Sequence, residues 1–130
     1  MGPIKVLLAD DETGILEIMA KKVARQGYAV VTATDGQQAW EKIVSESPDI
    51  IVLDIAMPKM TGLEILKKLR AQPPSKKWQP VILVSVLDDI HQVKEGLNLE
   101  ADHYLTKPCS IEAVVKAIRM MAALIPMRNQ

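Results

Sequence analysis

The sequence predicts an α/β domain, a doubly wound parallel sheet with helices on both faces, built as (βα)5. Two observations carry this expectation. Runs of Val, Ile, Leu and Ala at Val6–Ala9, Ile50–Leu53 and Val81–Val84 are apolar at every position, the pattern of strands buried on both faces of a parallel sheet. Between such runs, apolar residues recur at helical spacing, so strand and helix alternate along the chain. The 130 residues, 48% hydrophobic and 25% charged, fit one globular domain with one core. The expected domain is residues 1–130, with a core over about 4–123 and a short C-terminal tail.

The elements follow in order. The first strand runs into Asp10-Asp11. Leu16, Met19, Ala20 and Val23 then set a helical stripe, which Gly27 ends. Ala29 to Thr34 is rich in β-branched residues and reads as the second strand. Asp35-Gly36 reads as a turn, Gln37–Glu46 as the second helix, and Ser47-Pro48 as its end. The third strand stops at Asp54, and a loop with Pro58 and Gly62 leads to a helix from Leu63 to about Ala71. Gln72 to Lys77, which includes Pro73-Pro74-Ser75, resembles a linker but is too short to divide domains. The fourth strand ends at Ser85, and a helix is expected after Asp88-Asp89. The fifth strand, His103 to Thr106, ends near Lys107-Pro108, where a cis peptide bond is an option. Ser110 caps the last helix, with Glu112 near the position that completes a capping box. Right-handed crossovers between parallel strands complete the topology.

Bulk properties exclude several function classes. Lys plus Arg equals Asp plus Glu, at 16 each, which removes any whole-molecule electrostatic argument for nucleic acid or membrane binding. No apolar stretch approaches the roughly 20 residues of a membrane span, and the N-terminal apolar run is short and quickly acidic, unlike a signal peptide. A lone cysteine, Cys109, permits no internal disulfide and fits a reducing, cytoplasmic setting. With two Trp, two Tyr and no Phe, the core must be aliphatic.

Ligands of open α/β sheets bind beyond the carboxyl ends of the strands. That rule gathers Asp10, Asp11, Asp54, Ser85 and Lys107 along one sheet edge. Each has a plainer reading taken alone: Asp11 or Thr13 as a helix cap, Asp54 as a strand-end cap, Lys107 as a solvated lysine. Together they supply what phosphoryl transfer needs. Oxygen-only carboxylate ligands suit a hard cation such as Mg²⁺, which relieves the repulsion among three clustered acids. Asp54 is a candidate nucleophile that forms an aspartyl-phosphate. Lys107 offers a compact charge for phosphoryl oxygens and Ser85 a hydroxyl donor. Such chemistry is mostly positioning and electrostatic stabilisation.

On these residues the chain resembles a response regulator receiver domain of two-component signalling, chemotaxis regulators included. The matching pieces are Leu8-Ala9-Asp10-Asp11-Glu12, Asp54-Ile55-Ala56-Met57-Pro58 with Gly62, Ser85, and Tyr104-Leu105-Thr106-Lys107-Pro108. The resemblance implies a flavodoxin-like sheet of strand order 2-1-3-4-5, the order of the family's chemotaxis members. It implies that Asp54 accepts a phosphoryl group from a sensor histidine kinase or phosphotransfer protein. It implies a Mg²⁺ site made by Asp11, Asp54 and the Ala56 carbonyl, with Asp10 assisting. Lys107 would contact the phosphoryl group, and Ser85 and Tyr104 would act as the switch. It implies slow autodephosphorylation but no turnover of external substrates. It also implies a signalling surface on the helix after Asp88-Asp89, the fifth strand and the last helix, through which two copies can pair. Neither direct nucleic-acid contact nor membrane association is expected.

Departures from the family pattern are local. Ala56 and Val86 replace residues that are often polar and small, and Leu87 is apolar, so a phosphoryl lifetime unlike that of fast-cycling relatives is expected. Glu100 stands where a helix-ending glycine is frequent. In the last helix, Ile111, Val114, Val115, Ile118 and Ala122 form a core stripe. Ala113, Ala117, Met120 and Leu124 form a second, expected either to face a partner or to pack on the tail Ile125-Pro126-Met127. Met57 reads as a loop residue facing a donor protein, Cys109 as a semi-buried small residue, and His91 and His103 as non-ligands. Two other readings stay open: an aspartate-nucleophile phosphohydrolase, which Ala56 disfavours because it is no acid/base, and an unphosphorylated interaction module, which should lack one of the key residues.

Overall fold

The computed structural model describes residues 2–86 and 101–128. The helix expected after Asp88-Asp89, with Leu87, His91 and Glu100, lies outside the described residues. Five strands, β1 (Lys5–Ala9), β2 (Ala29–Ala33), β3 (Ile50–Asp54), β4 (Val81–Ser85) and β5 (His103–Thr106), form one sheet. All neighbours are parallel, in the order β2-β1-β3-β4-β5. Four helices are described: α1 (Thr13–Arg25), α2 (Gly36–Glu46), α3 (Gly62–Ala71) and α4 (Ile111–Arg128).

The sheet separates two aliphatic cores. Alternate residues of one strand feed both: Leu7 and Ala9 pack with Ile43 of α2 and Ile65 of α3, whereas Val6 and Leu8 pack with Leu16 of α1 and Ile118 of α4. Strands β3 and β4 are buried at every position, while β2 and β5, at the sheet edges, are mostly half-buried. That contrast explains why the inner strands are pure apolar runs and the outer ones are not.

Helix termini refine the sequence reading. Asp35-Gly36 is a helix start rather than a turn: Asp35 is the N-cap of α2, and its side chain accepts from the Gln38 N–H at 2.8 Å. That hydrogen bond, with Lys59 nearby, holds the Asp35 carboxyl below its usual range. Neither Asp11 nor Thr13 caps α1; its N-cap is Glu12, without a side-chain cap bond. Helix α3 opens with a full capping box, Thr61 Oγ1 accepting from the Glu64 N–H at 3.2 Å while Glu64 Oε1 accepts from the Thr61 N–H at 3.4 Å. Thr61→Ala should therefore lower stability by about 1 kcal/mol; an unchanged urea midpoint would contradict this. At α4, Ser110 Oγ accepts from the Ala113 N–H at 3.1 Å, but Glu112 pairs with Lys22 of α1 instead of closing a box.

Two expectations for α4 are corrected. Helix α4 continues through Pro126 to Arg128, so the supposed tail is helical and does not fold back. The second stripe also divides: Ala117 is buried, Ala113 half-buried, and only Met120 and Leu124 are exposed. At the opposite end of the sheet from the acids, the Gln72–Lys77 segment gains a structural role. Lys77 Nζ lies 2.9 Å from Asp49 Oδ1 and 2.7 Å from the Ser47 carbonyl. Nearby, Asp102 Oδ2 accepts from Arg70 at 2.9 Å and from the Val81 N–H at 2.8 Å, tying β5 to α3 and β4. Among the described residues no helix is long and apolar enough to cross a membrane.

Candidate functional site

The expected residues meet at the carboxyl edge of the inner strands. β1 delivers Asp10 and β3 delivers Asp54, because β1 and β3 pair in register from Val6 opposite Ile50 to Ala9 opposite Leu53. Asp10 and Asp54 are buried and Asp11 is exposed. One carboxylate oxygen from each of the three lies within 4.8 Å of the others. Backbone amides orient two of these acids: the Glu12 N–H donates to Asp10 Oδ1 at 2.9 Å, and the Ala56 N–H to Asp54 Oδ1 at 3.2 Å.

The cation comes from the far side of the sheet. Lys107, just past β5, places Nζ 2.6 Å from Asp54 Oδ2. Its backbone N–H donates to the Ser85 carbonyl at 2.7 Å, and its peptide bond to Pro108 is cis. The ion pair is unequal. The Asp54 side chain is 4% exposed and that of Lys107 28%. At Asp54, burial raises the carboxyl above its usual range despite the Lys107 hydrogen bond and charge, and Asp10 adds repulsion. At Lys107, burial works the other way, but the Asp54 hydrogen bond and charge outweigh it, and Asp10 and Glu12 add to the upward shift. Two buried acids side by side and a buried carboxyl held above its normal range describe a site short of positive charge. An oxygen-only donor set of this kind fits a hard divalent cation.

The other expected residues lie on β4, on β5 and in the loops that follow β3 and β5. Ser85 is buried at the end of β4, in register with Thr106 of β5. Tyr104, opposite Leu83, is half-buried against the α2/α3 core. Burial, then the Asp102 charge, pushes its phenol upward. Ala56 is exposed in the loop after β3. Met57 is buried in the core rather than facing outward, so it is not a donor-facing residue. Cys109 is half-buried as expected, and burial, opposed by the Lys107 charge, raises its thiol. An open pocket of about 420 Å³ lies beside the cluster, lined by Glu12, Ile15, Met19, Val86, Lys107 and Cys109 among others. Motif spacing does not show its apolar wall, although Ile15, three residues after Glu12, carries the signal.

This arrangement defines a phosphoryl-accepting α/β switch, and the chain belongs to the response regulator receiver domain family, whose family model matches residues 6–119. Domains of this family are phosphorylation-dependent switches of two-component signalling that interact with sensor kinases and phosphotransfer proteins. The chain is 42% identical over 117 residues to the alkaline phosphatase synthesis transcriptional regulatory protein PhoP of Bacillus subtilis, covering 88% of this chain and 48% of that protein. It is 37% identical over 119 residues to the probable transcriptional regulatory protein TcrX of Mycobacterium tuberculosis, covering 92% and 50%. The chain thus spans about half the length of these relatives. Among solved structures, the receiver domain of Francisella response regulator 1452 superposes with a TM-score of 0.81 at 36% identity, covering 94% of this chain and 98% of that one. Chemotaxis response regulator CheY4 of Vibrio cholerae matches with a TM-score of 0.81 at 31% identity, covering 92% and 98%.

Proposed function

We propose that Asp54 is the phosphoryl acceptor of this receiver and that residues 4–123 form one such domain. An Asp54 oxygen forms a bond to phosphorus as the bond to the donor histidine nitrogen breaks. The electron pair leaves with the imidazole, which takes up a proton. Lys107 neutralises the phosphoryl oxygens, and Ser85 and Tyr104 report the new charge to the β5 and α4 face. Asp10, Asp11, Asp54 and the Ala56 carbonyl hold Mg²⁺. When bound, Mg²⁺ supplies positive charge against the transferring phosphoryl group. The carrying observation is the three-carboxylate cluster with Lys107 Nζ 2.6 Å from Asp54.

The donor is a phosphohistidine on a sensor kinase or phosphotransfer protein, approaching over the exposed Ile15 and Val86, which line the pocket beside the site. A homodimer through the last helix, with Met120 and Leu124 as its exposed apolar positions, belongs to the same proposal. So does a cytoplasmic setting. Any nucleic-acid output belongs to a protein of the relatives' full length. Incubation with Mg²⁺ and a small acyl-phosphate donor tests the reading. Acid-stable, hydroxylamine-labile label without sustained donor turnover supports the switch. Rapid turnover would instead make the chain a phosphohydrolase, and no label would leave an interaction module.

A further inference from the structure

We infer that the Asp35–Gly36 corner of α2 is a positioning element for the loop that carries the Ala56 carbonyl, and that residue 36 thereby sets Mg²⁺ affinity. The inference rests on the metal reading above and goes beyond it, because neither residue touches the acids. The loop from Ile55 to Gly62 is tied at its inner end: the Met57 and Gly62 N–H groups both donate to the Ile55 carbonyl, at 3.1 and 3.0 Å. Its outer end meets the start of α2. There α2 supplies the hold. The Gly36 N–H, one of the donors a helix start leaves unpaired, donates to the Pro58 carbonyl at 3.1 Å.

Contact at this corner leaves no slack. A Cβ added to Gly36 would lie 1.7 Å from the Met60 carbonyl oxygen and 2.5 Å from its carbon. These are backbone atoms, so no side-chain rotation relieves the overlap. Between Pro58 and Met60, Lys59 adopts φ 71°, a left-handed conformation costly for a residue with a side chain. Its ammonium lies 3.5 Å from Asp35 Oδ2. A strained residue flanked by two backbone contacts to the same helix start is the signature of a loop shape imposed from outside. Mg²⁺ demands near-ideal octahedral geometry, and groups that fix its ligands typically alter affinity 10–100-fold when changed. The corner is therefore a positioning device rather than a generic turn.

Calorimetric Mg²⁺ titration of the native chain and Gly36→Ala tests this, with folding checked by circular dichroism in EDTA. The expected result is about a tenfold or greater loss of affinity in the folded variant, with acyl-phosphate labelling restored at saturating Mg²⁺. A simple loss of folded protein would lower labelling at every Mg²⁺ concentration. Asp35→Ala, which removes both the N-cap bond of α2 and the tie to Lys59, should weaken Mg²⁺ severalfold and decides the matter if Gly36→Ala does not fold. Native affinity in a folded Gly36→Ala, labelling that saturating Mg²⁺ does not restore, or native affinity in Asp35→Ala when it is the deciding variant, overturns the clamp alone. Absence of Mg²⁺ binding by the native chain overturns the metal reading and the clamp together.

Discussion

Asp54→Asn takes up no phosphoryl label from any donor and, without divalent cation, resists urea better than the native chain at neutral pH. The first part follows from removing the carboxylate proposed as the nucleophile. The second follows from the electrostatics of the site. Burial raises the Asp54 carboxyl more than Lys107 lowers it, so the folded state holds this proton more tightly than the unfolded chain does. The stability from that difference is fully present below the unfolded-chain value and is lost as pH rises through the folded-state value. At neutral pH the native protein therefore carries the cost of a buried, ionised acid beside Asp10, and an uncharged amide does not. The advantage of Asp54→Asn should vanish in acid, grow through the Asp54 titration and then level off. Added Mg²⁺ should shrink it, because a cation that binds only the folded native protein stabilises it. Urea melts in EDTA between acid and neutral pH check the trend. A variant less stable than the native chain at every pH would contradict it.

Lys107→Ala slows labelling of Asp54 by on the order of a hundredfold, the typical loss when one preorganised group facing developing charge is removed. The pH midpoint of the labelling rate also moves upward. Of the influences on the Asp54 carboxyl, Lys107 is the leading one that lowers it; burial and Asp10 both raise it. Without the ammonium, less of the acid is in its nucleophilic form at neutral pH. The substitution is clean because the tie between the ends of β5 and β4 is a backbone bond, Lys107 N–H to the Ser85 carbonyl at 2.7 Å, which alanine retains. Lys107→Arg keeps the charge but replaces a compact ammonium with a planar fork, and should fall between the two. Initial labelling rates across a pH series provide the measurement; an alanine variant within twofold of the native rate would remove Lys107 from the reaction.

Much of this site was legible in the sequence, for a physical reason. Strands β1, β3 and β4 bury both faces, so an apolar run must end where the sheet edge meets solvent. The first polar residue after each run, Asp10, Asp54 (counted within β3) and Ser85, therefore marks the edge directly. The outer strands β2 and β5 bury less, and Thr34 and Lys107 lie one residue beyond their observed ends. What stayed hidden depends on contacts between distant segments. Asp35-Gly36 carries the composition of a turn, and only the approach of Met60 shows why glycine opens α2. Met57 lies among loop residues in sequence yet is buried in the α2/α3 core. Ala117 falls on the outer stripe by helical spacing, but α4 buries it together with Val114 and Ile118. The partners of Asp102, Arg70 and the Val81 amide, lie on other elements with no shared spacing. The Thr61–Glu64 capping box is legible in spacing alone, a threonine three residues before a glutamate at the start of a helix.

On the proposed reading, three carboxylates and one ammonium make Asp54 a Mg²⁺-dependent phosphoryl acceptor. The most direct test is to label the native chain with a small acyl phosphate, reduce the acyl-phosphate bond with borohydride, and locate the altered residue by tandem mass spectrometry. The predicted result is modification at Asp54, in Mg²⁺ and not in EDTA. Modification at Asp10 or Asp11 instead, or equal modification in EDTA, would contradict it.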